Sequence, residues 1–127
     1  MDLNTGVLKT RVVDGVAVLS FERGRFEEEN EILATLESLS RYVADKTQLR
    51  ILLDMTNVEY LSSAGLGQLV GLLKKVKTNG GEFRLCCLRD AIKELFEVMR
   101  LHLIFETPET EEEALALFQT KNATEPA

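Results

Sequence analysis

The stretch that decides the fold is "RILLDMTNVEYLSSAGLGQLV", residues 50–70. Its first part, "RILLDM", is a short, largely apolar run of the kind found in strands buried at the centre of a sheet. A polar loop follows, and then two adjacent serines, Ser62 and Ser63, stand before a glycine-punctuated apolar pattern. That pattern has helical spacing and ends at a strong stop signal, Asn79-Gly80-Gly81. The stretch therefore predicts a strand, a loop and a helix, with two hydroxyl groups at the junction.

The segment before this unit predicts a hairpin and a helix. Two β-type runs, 8–13 and 16–21, flank Asp14-Gly15, a dipeptide that tolerates the positive φ angles of a tight turn. Apolar residues at helical spacing then predict an amphipathic helix over about 27–45. Its acidic first turn suits the positive end of the helix dipole.

The segment after the unit predicts a further strand, "EFRLCCL", and a helix capped by Asp90 with Ile92, Leu95, Phe96 and Met99 on its apolar face. "LIFET" is predicted to be a short edge strand. A last helix is predicted to begin with a capping box, in which Thr110 and Glu113 bond reciprocally to free backbone amides.

Alternating strands and helices predict an α/β fold with right-handed crossovers and a mostly parallel sheet, which the initial hairpin makes mixed. We expect one domain over residues 1–120, with four to five strands and about four helices. Residues 121–127 are expected to form a disordered tail.

Composition excludes several classes of function. The chain has 127 residues and a net charge of −6, which argues against direct binding to nucleic acid because that needs a basic footprint. No apolar run approaches the roughly 18 residues that span a bilayer. The N-terminus lacks the features of a signal peptide, so we expect a cytoplasmic protein with no membrane insertion.

The chemical inventory of the chain is small. The single histidine, His102, has no partner at ligand spacing, and the adjacent cysteines Cys86 and Cys87 are not at a metal-ligand spacing. Neighbouring strand residues point to opposite faces, so a disulfide between the two cysteines is not expected. The sequence therefore predicts no metal site, no cofactor and no catalytic residue.

Two further features have structural interpretations. Gly67 and Gly71 are one helical turn apart and are expected to allow close contact between helix and sheet. Asp54 ends an apolar strand before a loop, where acidic residues of α/β sheets serve either as functional groups or as caps of the loop. Ser62 and Ser63 can each cap the following helix, so capping alone does not distinguish between them.

The order of these features resembles the STAS domain of anti-sigma factor antagonists. The resemblance covers about residues 8–118: an apolar strand ending in Asp54, a short loop, "SSAGLG", an "NGGE" turn into a strand, an "IKELFEVMRL" helix and an acidic-then-apolar last helix. It implies a binding module and not an enzyme. The implied partners are an anti-sigma factor that is a serine kinase with a histidine-kinase-like ATPase domain, and a phosphatase that reverses its action.

The resemblance also implies which residues act. Aligned on Gly65-Leu66-Gly67, the phosphorylated serine of the family falls on Ser63, with Ser62 as the less favoured acceptor. The partner-binding residues are expected to be Arg23, Arg25, Phe26, Asp54, Ser62, Ser63 and Gly65. The chain departs from the family pattern at two places: Ser62 stands where Asp is common, and "FERGRFEEENE" lacks the usual Gly-x-Leu/Ile-Asp pattern.

Two alternatives remain open on the sequence. The chain could be an unphosphorylated STAS scaffold subunit of a signalling or lipid-transport assembly, with Ser63 only a cap. It could also be a small α/β enzyme using Asp54 and Ser63. The enzyme hypothesis lacks a base, because no histidine lies near either residue in the sequence to activate a serine.

Overall fold

The computed structural model describes the backbone of residues 8–22 and 29–124 and the side chains of residues 8–22 and 31–118. The strands are β1 (Leu8–Val13), β2 (Val16–Phe21), β3 (Arg50–Asp54) and β4 (Glu82–Cys86). The helices are α1 (Glu29–Val43), α2 (Ser63–Thr78), α3 (Asp90–Val98) and α4 (Glu111–Thr124), with one 3-10 turn at Leu101–Leu103. Helix α4 continues into the stretch assigned to a tail, and 125–127 lie outside the described residues.

The four strands form one mixed sheet in the order β1-β2-β3-β4. Strand β1 pairs antiparallel with β2 through a turn in which Asp14 and Gly15 both have positive φ, 52° and 80°. Strands β2, β3 and β4 are parallel to one another. The predicted hairpin and the predicted fold class, α/β with a mostly parallel mixed sheet and four helices, are confirmed.

Alternate residues of the central strands face two different hydrophobic layers. Leu19, Leu53 and Leu85 belong to the larger cluster, which they share with α1, α2 and α3. Val18, Leu52 and Cys86 belong to the smaller cluster, which contains Ala114 and Phe118 of α4. This alternation is the period of two expected of a strand, and the burial of both faces explains the continuous apolar run of β3.

The predicted edge strand at 103–107 is not present. Arg100, two residues after the end of α3, has a φ of 61°, and the amides of Ile104 and Phe105 both donate to the carbonyl of Leu101. The segment therefore forms a tight turn, and its amides are not available for a strand ladder. Phe105 is instead buried, with its ring 5.7 Å from that of Phe96. The sheet has four strands among the described residues.

The start of α3 also differs from expectation. Arg89, and not Asp90, occupies the cap position, and it makes no side-chain capping bond. Asp90 is the first helical residue, where its charge still suits the helix dipole. On the predicted apolar face, Ile92 and Phe96 are buried and Leu95 is partly buried, whereas Met99 is 52% exposed because α3 has ended before it.

At the start of α4, Thr110 accepts a hydrogen bond from the amide of Glu113, as predicted. The Glu113 carboxylate accepts from the amide of Glu109 and not from that of Thr110, so the reciprocal bond is displaced by one residue from the predicted capping box.

Candidate partner-binding site at the start of helix α2

The candidate site lies at the carboxyl edge of the sheet, where the three parallel strands end. The loop between β3 and α2 is anchored to both neighbouring strands and to the next loop. Asn57 donates from its side-chain amide to the carbonyl of Phe21 at 2.8 Å, which ties the loop to the end of β2. On the other side, Arg89 donates to the carbonyl of Thr56 at 2.8 Å, and the amide of Met55 donates to the carbonyl of Cys86 at 3.0 Å. These three hydrogen bonds fix the position of the loop that leads into α2.

Ser62 is the N-cap of α2. It has extended backbone angles, and its hydroxyl oxygen accepts a hydrogen bond from the amide of Gly65 at 3.0 Å. This bond satisfies one of the amides that a helix leaves unpaired in its first turn. The structure thus assigns the cap, which the sequence left open between two serines, to Ser62.

Ser63 is the first residue of the helix and has a different environment. Its side chain is exposed, and its hydroxyl makes no hydrogen bond within the part of the chain that the structure describes. Because Ser62 holds the Gly65 amide, the Ser63 hydroxyl has no structural role in the cap. It is accessible to another protein.

The surface around Ser63 is open. Tyr60 is 59% exposed, and Ala64 and Gly67 are exposed as well. A Cβ atom added at Gly67 or at Gly71 would meet nothing within 4 Å. The prediction that these two glycines allow close contact between helix and sheet is therefore wrong, because a Cβ atom at either position would touch no neighbouring element. At Gly67 the missing side chain instead leaves free surface close to Ser63.

Gly65 differs from these two glycines because it is buried. A Cβ atom at Gly65 would lie 3.2 Å from Leu61 and 3.5 Å from the Ser62 hydroxyl oxygen. Its amide is the group that Ser62 caps. Gly65 therefore lies on the buried side of the first turn of α2, next to Leu61 and the Ser62 hydroxyl.

The charge distribution of α2 favours an anion at its start. The first turn contains no acidic residue, while Lys75 and Lys77 lie in the last turn. A helix N-terminus carries a partial positive charge and free amides, so it stabilises a phosphate or carboxylate placed there.

Asp54 lies at the same edge but on the other face of the sheet, since it follows Leu53 in alternation. Its carboxylate accepts hydrogen bonds from the amide and the hydroxyl of Thr56, at 2.8 and 2.5 Å, and so caps the loop. Burial opposes ionisation of Asp54, yet hydrogen bonds from Glu111 and Thr56 outweigh it and lower its pKa. The bond to Asp54 and partial burial raise the pKa of Glu111, although Arg11 opposes this.

The structure also shows a feature that sequence reasoning missed. Cys87 has a left-handed backbone, with a φ of 64°, and its sulfur lies 3.1 Å from that of Cys86. The expectation that the two side chains point to opposite faces is wrong, because Cys87 follows the last residue of β4 and does not continue the strand. No sequence signal predicts this, since cysteine rarely adopts a positive φ.

The other predicted contact residues, Arg23, Arg25 and Phe26, lie outside the described residues. His102 is exposed beside Leu103 and takes no part in this edge of the sheet. None of the helices described is both long and apolar enough to cross a bilayer.

Comparison with known proteins agrees with this architecture. The chain is 36% identical over 76 residues to BtrV, a candidate anti-sigma factor antagonist of Bordetella bronchiseptica; the match covers 60% of this chain and 66% of BtrV. The fold is similar to that of an anti-sigma-factor antagonist (STAS) domain protein from Planctomyces limnophilus, with a TM-score of 0.74, 22% identity and coverage of 87% of this chain and 96% of that one.

A further similar fold is that of the Bacillus cell fate determinant SpoIIAA in its phosphorylated form. The TM-score is 0.55 at 19% identity, and the match covers 87% of this chain and 98% of SpoIIAA. The family model of the STAS domain matches residues 11–114. This range begins within β1 and contains β2 to β4, helices α1 to α3 and the start of α4. The protein belongs to the STAS domain family.

Proposed function

We propose that this protein is an anti-sigma factor antagonist, a cytoplasmic regulator of transcription that acts by binding and not by catalysis. Its partner is an anti-sigma factor that is also a serine kinase with a histidine-kinase-like ATPase domain. Phosphorylation of Ser63 ends the binding, and a serine phosphatase restores it. The similarity to BtrV supports the class of function, and the geometry of the two serines supports the site.

The observation that carries the proposal is the division of roles between the two hydroxyls. The Ser62 hydroxyl oxygen is engaged by the Gly65 amide as the helix cap, so a kinase would have to act on a group that already has a structural role. Ser63 is exposed, makes no hydrogen bond among the described residues and stands at a helix start with no acidic neighbour in the first turn. A kinase can therefore modify Ser63 at little cost to the fold.

Phosphorylation would act on the interface and leave the domain folded. A phosphate adds about −1.5 to −2 charges at pH 7, which the N-terminus of α2 stabilises. A partner packed against the exposed surface of Ser63, Ala64 and Gly67 would bury that charge away from water. Repulsion and desolvation at the contact weaken binding, so a local change in charge becomes a change in partner.

Site mapping tests the proposal. The protein is incubated with its cognate anti-sigma factor kinase and ATP, and the phosphorylated residue is identified by mass spectrometry in the wild type, Ser63→Ala and Ser62→Ala. We expect phosphate on Ser63 in the wild type and in Ser62→Ala, and none in Ser63→Ala. Phosphate on Ser62 alone, or on neither serine, would contradict the assignment. A large co-purifying assembly without phosphate would favour the scaffold alternative.

A further inference from the structure

The two adjacent cysteines form a converging pair of sulfur ligands. In an extended strand, successive side chains point to opposite faces. Here Cys86 ends β4 and Cys87 turns into the left-handed region, so the two sulfur atoms lie 3.1 Å apart. That backbone conformation is sterically unfavourable for a residue with a Cβ atom. Strain of this kind concentrates at sites with a function.

A carboxylate from the neighbouring strand completes a group of three ligands. Asp54 and Cys86 are register partners in the parallel pair of β3 and β4. One carboxylate oxygen of Asp54 and the two sulfur atoms all lie within 4.8 Å of one another. Thr56 holds that carboxylate through two hydrogen bonds, which fixes its orientation. The group therefore unites residues that are far apart in the sequence.

The surroundings of this group are rigid on one side and open on the other. Cys86 is fully buried in the layer beneath α4 and cannot move far. Cys87 is only partly buried, and its amide donates to the carbonyl of Pro108 at 3.0 Å, which fixes the loop. The approach of an ion is therefore from the side of Cys87, the less buried of the two cysteines.

We propose that Cys86, Cys87 and Asp54 bind a thiophilic divalent cation of the zinc class, through two thiolates and one carboxylate. Binding releases one proton from each thiol to solvent and needs no oxidant. With metal–sulfur bonds of about 2.3 Å in a tetrahedral arrangement, the sulfurs would stand about 3.8 Å apart. A small rotation of the Cys87 side chain supplies this widening. Sulfur ligands select such ions over Mg²⁺ and Ca²⁺, which prefer oxygen.

Titration of the reduced full-length chain with Cd²⁺ tests the site, followed by the ultraviolet thiolate-to-metal charge-transfer absorbance. We expect one ion per chain, competition by Zn²⁺ and no competition by Mg²⁺. Cys87→Ser should abolish the absorbance change, and so should Cys86→Ser if that buried variant folds. Asp54→Asn should weaken binding at least about tenfold, whereas Glu112→Gln, which removes an exposed acidic residue of α4, should leave it unchanged.

Two results would overturn the proposal. One is a wild-type chain whose absorbance shows no saturable one-to-one binding. The other is an Asp54→Asn variant that binds Cd²⁺ as tightly as the wild type, since the ion would then use the thiols without the carboxylate. Circular dichroism of each variant shows that it is folded, and Cys87→Ser, at the more exposed position, remains informative if Cys86→Ser does not fold.

Discussion

Two pairs of identical adjacent residues lie at the carboxyl edge of the sheet. Ser62-Ser63 follow the loop after β3, and Cys86-Cys87 lie at the end of the neighbouring strand β4. The serine hydroxyls have separate roles, because Ser62 is drawn into the helix cap while Ser63 is exposed at the first turn. The cysteine sulfurs converge to 3.1 Å, because Cys87 leaves the strand through a left-handed conformation. In both pairs, the backbone conformation where a strand or helix begins or ends decides whether the two adjacent side chains separate or converge.

The largest expected effect comes from β3, which supports both pairs. Leu53 has no exposed surface, so Leu53→Ala should lower the free energy of unfolding by about 2–5 kcal/mol. Val12→Ala on the edge strand, at a side chain that is 72% exposed, is the matched control and should change it by less than about 0.5 kcal/mol. Urea unfolding measures both variants, and a cost below about 1 kcal/mol for Leu53→Ala would mean that β3 does not anchor the edge.

The next effect concerns the exposed member of the serine pair. Ser63→Asp should fold normally, since an acid suits a helix start, but should bind the kinase at least about tenfold more weakly. Calorimetry or surface plasmon resonance gives the two affinities. Glu112→Lys reverses a charge on α4, and kinase binding should be unchanged. A loss of binding by a folded Glu112→Lys variant would place the partner face on α4.

The third prediction concerns the left-handed backbone of Cys87, which brings the two sulfur atoms together. Glycine adopts a positive φ without steric cost, which favours it by about 1–2 kcal/mol, but its greater freedom in the unfolded chain offsets about 0.5–1 kcal/mol of this. Cys87→Gly should therefore be more stable than Cys87→Ala by about 1 kcal/mol, and because both variants lack the thiol, the difference reports on the backbone at position 87 and not on the sulfur. Equal unfolding free energies in urea would show that Cys87 does not hold the left-handed conformation in solution.

The smallest effect separates the two serines by stability alone. Ser62→Ala removes the side-chain acceptor of the Gly65 amide and should cost about 1 kcal/mol. Ser63→Ala removes no hydrogen bond among the described residues and should change stability by less than about 0.5 kcal/mol. Thermal or chemical unfolding compares the two variants. If Ser63→Ala were the costlier change, Ser63 would be the cap.

The open surface beside Ser63 was only partly predictable. Helical spacing placed Gly67 on α2, but whether a glycine faces a packed neighbour or free space depends on how the helix lies on the sheet. The sequence suggested close packing at Gly67 and Gly71, and the structure shows space at both. The position of Ser63 was predicted from a family resemblance, because local chemistry treats both serines as equal caps.

The sequence by itself determined the elements and their order. The Asp14-Gly15 turn, the apolar run of β3 and the helical spacing of α2 are local signals, and the mostly parallel sheet follows from the alternation of strands and helices. The missing edge strand marks the limit of such signals. The run "LIFET" has strand-like residues, but Phe105 is buried against Phe96 and its amide is used in a turn.

Only the tertiary structure decided the arrangement of the side chains at the sheet edge. Capping by Ser62, the exposed hydroxyl of Ser63 and the approach of Asp54 to Cys86 and Cys87 all depend on how the loops leave β3 and β4. Asp54 and Cys86 are 32 positions apart and meet only because parallel pairing places them in register. Local propensity cannot encode such contacts, because they arise from the packing of distant segments against one another.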